Sequence, residues 1–89
     1  MTNFIIVRSD VRDYSDWLPL YTAHLPVRAA AGLVDRHVLQ DVDDPNKVTI
    51  IFGAEDLDRA KEFIDSAEIR ETMREHGVLG KPDIYFLEG

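Results

Sequence analysis

Cysteine is absent from the 89-residue chain, and that absence removes disulfides, thiolate zinc sites, redox pairs and a thiol nucleophile together. It fits a reducing compartment, and the cytoplasm is the expected location. Long apolar runs are missing too. The stretch Phe4-Ile5-Ile6-Val7 follows no basic segment and is too short for a membrane span or a secretory signal. Positive charge is scarce: ten Lys plus Arg against seventeen Asp plus Glu give a formal charge of −7. Such a balance opposes phosphate backbones and anionic lipid, so neither nucleic acid nor a membrane is an expected partner. The three histidines have no HxH or HExxH spacing, and Asp41, Asp43 and Asp44 adjoin Pro45 without the pattern of a calcium loop. No metal site is expected. A G-x-S-x-G elbow, a Walker loop and a dinucleotide glycine pattern are absent as well. Hydrolase, nucleotide and NAD readings therefore have no motif, and no cofactor is expected.

What is present is the composition of a folded domain, 45% hydrophobic and 30% charged. The length gives a single domain over residues 1–89, near the size at which a core barely outweighs chain entropy, where oligomerisation helps. NFIIVRS reads as a strand buried on both faces and ending near Ser9. Asp13 is a helix N-cap and Gly32 a C′ residue, and the segment between them carries helical period despite Pro19 and Pro26. Both prolines fall opposite Trp17 and Tyr21, so a bent but continuous helix is expected. Val34 to Val42 and Lys47 to Gly53 form a hairpin about Asp43-Asp44-Pro45-Asn46. Asp56 caps a second helix bearing Leu57, Ala60, Phe63 and Ile64, and Ser66 recaps a stretch with Ile69 and Met73 up to Gly77. DIYFLE, after Pro82, is the last strand.

The order βαββαβ is that of the ferredoxin-like α+β fold, a four-stranded antiparallel sheet with two helices on one face. The opposite face then has no cover. Yet Phe4-Ile5-Ile6-Val7 and Val48-Thr49-Ile50-Ile51-Phe52 do not alternate apolar with polar, as a half-solvated sheet does. Several hundred Å² of wet apolar sheet is unusual for a monomer, so a second copy packed sheet to sheet is the expected partner.

On the first helix Trp17, Tyr21, His24 and Arg28 share a narrow arc, flanked by Tyr14, Leu20, Leu25 and Ala31. A histidine and an arginine thus occupy the middle of the face that meets the sheet, and an unpaired buried guanidinium costs several kcal/mol. Two readings stay open. In one, Arg28 reaches a sheet-edge acid such as Asp41, and His24 bonds a carbonyl as part of the core. In the other, Trp17, Tyr21 and strand residues wall a small cavity for a small apolar or aromatic molecule, with His24 and Arg28 as catalytic handles. His24 then exchanges a proton, and Arg28 holds a carboxylate, enolate or phenolate. Tyr14 and Tyr21 add hydroxyl contacts, while Trp17 serves as core in either reading. His37 shares a strand face with Leu39 and lines the pocket or the dimer seam. His76 is accounted for by the negative pole of its helix and is given no catalytic part.

The runs V-R-D-Y-S-D-W from Val11, H-L-P-V-R-A-A-A-G from His24, D-D-P-N from Asp43 and P-D-I-Y-F-L-E from Pro82 resemble a known group. It is that of the small bacterial proteins of the dimeric α/β-barrel superfamily, the antibiotic-biosynthesis-monooxygenase-like and cyclase-like proteins. The resemblance covers essentially the whole chain. It implies a ferredoxin-like homodimer with a ligand cavity between sheet and helices in each subunit. That superfamily includes cofactor-independent monooxygenases of aromatic polyketides, polyketide cyclases, haem-degrading enzymes and proteins with no assigned activity, and the fold does not choose among them. The haem-degrading branch carries a tryptophan and a histidine on the second helix, where this chain has Phe63 and Met73, so haem degradation is not expected. In an oxygenase of this kind His24 would deprotonate a phenolic substrate and Arg28 would stabilise the anion, which itself reacts with oxygen. In a cyclase the same pair would promote enolisation and aldol closure. A non-catalytic ligand-binding or structural dimerisation role is the remaining alternative.

Overall fold

The computed structural model describes residues 2–89. It contains β1 (Asn3–Val11), α1 (Tyr14–Ala23), α2 (Leu25–Ala30), β2 (Leu33–Gln40), β3 (Lys47–Ala54), α3 (Leu57–Asp65), α4 (Ala67–Glu75) and β4 (Val78–Glu88). The strands form one antiparallel sheet in the order β2-β3-β1-β4. This is the expected ferredoxin-like α+β plan, with each of its two helices divided in two.

The helix starts follow from short polar side chains that satisfy free amides. Asp13 Oδ1 accepts from the Ser15 amide at 2.8 Å, Asp56 Oδ1 from Arg59 at 3.2 Å, and Ser66 Oγ from Ile69 at 3.2 Å. The recapping at Ser66 is thus as the sequence indicates. The first helix departs from expectation: it breaks at His24 instead of bending. Pro26 has no amide to continue the ladder, and the Val27 and Arg28 amides both turn to the His24 carbonyl, at 3.1 and 3.2 Å. Pro19, on the exposed side of α1, is accommodated within it.

Two strand boundaries also shift. β2 stops at Gln40 because the Asp41 carboxylate accepts from the Asp43 and Asp44 amides, both at 3.1 Å, and turns the chain early. β4 begins at Val78, ahead of Pro82. It is an edge strand, and its register against β1 shifts between Arg8 and Asp10, where a residue without an amide costs no ladder bond.

The core lies between one sheet face and the helices. Ile5 opposes Phe52 and Val7 opposes Ile50 across the central pair, and these side chains pack with Trp17, Tyr21, Ala60 and Ile64. The other face carries Phe4, Ile6 and Ile51, which are half-buried, and Leu39, Tyr85 and Leu87, which are exposed. The non-alternating runs of β1 and β3 therefore contribute one set of apolar residues to the core and another to an uncovered surface.

Core and turn should respond very differently to truncation. Ile5→Ala, at 0% exposure, is expected to cost about 2–5 kcal/mol. Val42→Ala, at 98% exposure on the hairpin, should stay within about 0.5 kcal/mol. Urea denaturation at one fixed protein concentration measures both.

Candidate functional site

The break at His24 organises the site. By ending α1 early it leaves the Tyr21 carbonyl open to a side chain as well as to the His24 amide, and Arg28 Nη1 donates to it at 2.7 Å. The rest of the guanidinium meets Asp35 on β2, with Nε to Oδ1 at 3.1 Å and Nη2 to Oδ2 at 2.8 Å, a bidentate pair. Arg28 is only 7% exposed. Its partner is Asp35 and not Asp41, because Asp35 points to the helix side opposite Phe52 while Asp41 is occupied in the hairpin turn. The guanidinium carbon also lies 3.7 Å from the Tyr21 ring centroid, and Tyr21 stacks on Trp17 at 4.8 Å. Arg28 is thus held from three sides and its charge is matched by Asp35.

Beneath this stack lies a cavity of about 80 Å³. Val7, Ile50 and Phe52 form its floor, Trp17 and Tyr21 one wall, and Phe63, Ile69 and Met73 the opposite wall. Its few polar side chains include His24, Arg28 and His76. The His24 and His76 rings meet edge to face with centroids 4.9 Å apart. Among the described residues neither imidazole hydrogen-bonds to a protein group, so His24 is not locked to a carbonyl.

The sequence-derived residues separate accordingly. Trp17, Tyr21, His24 and Arg28 come together around the cavity. Tyr14 stands behind Trp17, with ring centroids 5.8 Å apart, outside the lining. His37 is paired with Ile51 on the uncovered face. A register shift between Asp35 and His37 turns it away from the helices, so it lies on the uncovered face and not in the cavity. His76 and Asp35 are the residues the sequence reading passed over. A signal for His76 existed: counted from Ile69, Met73 and His76 fall at i+4 and i+7, one stripe along α4 and its C-cap.

Two groups are electrostatically displaced. Burial, above all, pushes the Tyr21 phenol well above its ordinary range; Arg28 opposes the shift and Asp35 adds to it. Among the described residues the buried hydroxyl has no group within hydrogen-bond geometry. The His76 imidazole is held below its ordinary 6.5, first by burial and then by His24, against the pull of Glu75. The folded chain binds that proton more weakly than the unfolded one. Its contribution to stability is therefore full above about pH 6.5 and is lost as pH falls toward the lower folded value. Among the described residues no three acidic or histidine side chains converge as metal donors, and no helix is long and apolar enough to cross a membrane.

No family model matches the sequence, and no curated protein matches it significantly. Solved structures do match over nearly the full length. An antibiotic biosynthesis monooxygenase, provisionally so described, from Bordetella bronchiseptica is 17% identical with a TM-score of 0.76, covering 99% of this chain and 96% of its own. Another from Caulobacter crescentus is 11% identical with a TM-score of 0.71, covering 99% and 89%. SnoaB, a cofactor-independent oxygenase from Streptomyces nogalater, is 12% identical with a TM-score of 0.74, covering 99% and 92%. The chain has the ferredoxin-like fold of the antibiotic-biosynthesis-monooxygenase-like proteins.

Breaking the Arg28–Asp35 pair from one side should cost more than removing it whole. Arg28→Met strands a half-buried carboxylate and is expected to lose about 3 kcal/mol, whereas Arg28→Met with Asp35→Leu should recover most of it. Thermal unfolding of the four members of the cycle reads the coupling. Additive losses would mean that the pair is solvated and contributes little.

Proposed function

We propose that this chain is a small-molecule-binding homodimer that acts as a cofactor-independent monooxygenase on an aromatic, phenol-like compound. The observation that carries this reading is the contrast inside the cavity: apolar and aromatic walls, with two imidazoles that, among the described residues, hydrogen-bond to no protein group. A phenol with its ring among Trp17, Phe52 and Phe63 brings its hydroxyl to His24, which takes the proton. The electron-rich anion then reacts with oxygen, and the substrate supplies all the electrons that oxygen takes up, one atom entering the product and the other leaving as water. The likeness of fold to SnoaB supports the reading, as a protein of that chemistry and similar architecture.

Arg28 has a different part from the one its sequence position suggests. With its charge matched by Asp35, it holds Tyr21 and the end of α1 in place, and its spare hydrogens are a weaker aid to an anion than a free guanidinium is. Size sets a second limit. The cavity measures about 80 Å³, against roughly 150 Å³ for an apolar cavity that takes up benzene. One small ring, or the reacting edge of a larger molecule, is what it accepts, with α4 the wall that yields, since none of its residues is fully buried.

The matched charge of Arg28 also favours a second reading, ligand binding without turnover. Oxygen consumption with a panel of anthrones and simple phenols separates the two. For the oxygenase, His24→Ala should slow uptake by about a hundredfold or more, and equal rates remove His24 as the base. If no compound drives uptake but aromatic acids change the fluorescence of Trp17, the only tryptophan, binding without turnover is the function.

The homodimer rests on the uncovered face of Phe4, Ile6, Ile51, Tyr85 and Leu87. Light scattering at micromolar concentration should give a two-chain particle, and Ile51→Asp a single-chain one with unchanged circular dichroism. A wild-type chain that stays single would overturn the dimer.

A further inference from the structure

We propose that His76 is a second base of this cavity, standing beside His24 and acting on ligands that carry an acidic hydroxyl or an enol. The inference rests on the cavity reading above and adds to it a residue, a ligand class and a charge state.

The geometry comes from two distant parts of the chain. His24 sits where α1 ends and α2 begins, and His76 caps α4. Gly77, at a φ of +91° open to glycine, reverses the backbone directly after His76, and its carbonyl accepts from the Arg12 amide at 2.9 Å. That bond ties the end of α4 to the segment leading into α1. The imidazole thereby meets His24 at 4.9 Å and reaches the same cavity. A histidine kept only for the helix pole has no need of this placement.

Two imidazolium charges this close repel, so His24 disfavours a proton on His76. The surrounding charges act the same way. Arg28 and His24 disfavour a proton on His76, Glu75 favours it, Asp35 offsets Arg28, and Arg12 borders the neighbouring Gly77. His76 is accordingly held neutral, the form a base requires. In the transfer, the ligand's O–H bond breaks and an N–H bond forms on His76. His76 passes from neutral to singly positive as the ligand passes from neutral to singly negative. The net charge in the apolar cavity does not change, which limits the cost of ionising a ligand there. The proton leaves His76 to water or returns to the product.

Titration of the imidazole signals by NMR tests the pair without any ligand, with His37 on the other sheet face as reference. In His24→Gln the midpoint of His76 should rise, because the neighbouring imidazole that disfavours its proton is gone. Should a variant fail to fold, a two-step titration of the wild-type rings reports the same coupling. Independent midpoints overturn the pair. The second arm uses para-nitrophenol, whose anion is coloured, and para-nitroanisole, which has no proton to give. Nitrophenol should bind as its anion at a pH where the free compound is still neutral. His76→Gln should lower that bound anion by a factor about tenfold larger than any change in nitroanisole affinity. Nitrophenol bound without ionising, or ionised equally by His76→Gln, overturns the assignment and spares the cavity. If neither compound binds, the cavity reading fails and the assignment falls with it.

Discussion

A guanidinium that is 7% exposed has to find both an opposite charge and acceptors for its hydrogens, and the path of the chain around Arg28 reflects that demand. The charge comes from Asp35, seven residues on and across the turn at Gly32, whose φ of +83° lets α2 run directly into β2. One acceptor comes from the Tyr21 carbonyl, which the early end of α1 leaves open. The Pro26 break, the bidentate pair and the stacking of Tyr21 between Arg28 and Trp17 therefore support one another. Each fixes a group that the others leave mobile. The break also determines where His24 goes, since it occupies the joint between two helices instead of the middle of one.

Apolar period and cap chemistry made much of this legible from sequence. Asp13, Asp56 and Ser66 are local signals, and the structure uses each where it stands. The consecutive apolar residues of β1 and β3 divide into a buried core face and a half-buried, uncovered face, where the sequence reads burial on both, because alternation along a strand is a geometric necessity. What depended on competition between distant groups was harder to see. The choice of Asp35 over Asp41 turned on a carboxylate already committed to the Asp43 and Asp44 amides. The orientation of His37 turned on a register shift that moves it to the far side of the sheet. His76 was legible only in combination: its stripe with Ile69 and Met73 is local, but its meeting with His24 needs the Arg12–Gly77 backbone bond.

Floor and roof of the cavity differ in kind. The floor residues Val7, Ile50 and Phe52 are buried, locked in register between paired strands, and cannot yield without disturbing the core. The roof depends on α4, which buries no residue fully and is fastened at its two ends, by the Ser66 cap and by the bond at Gly77. Any enlargement beyond about 80 Å³ therefore has to come from the part of α4 between those ends, beside Met73, and not from its C-terminal end. His76 lies at the fastened end, and His24 at a joint held by Arg28 and its partners. A ligand that pushed the roof outward would thus gain room along an apolar, adaptable wall, where Met73 has rotamers to spare, while the two imidazoles stayed together. The division suits a site in which shape is negotiable and proton placement is not.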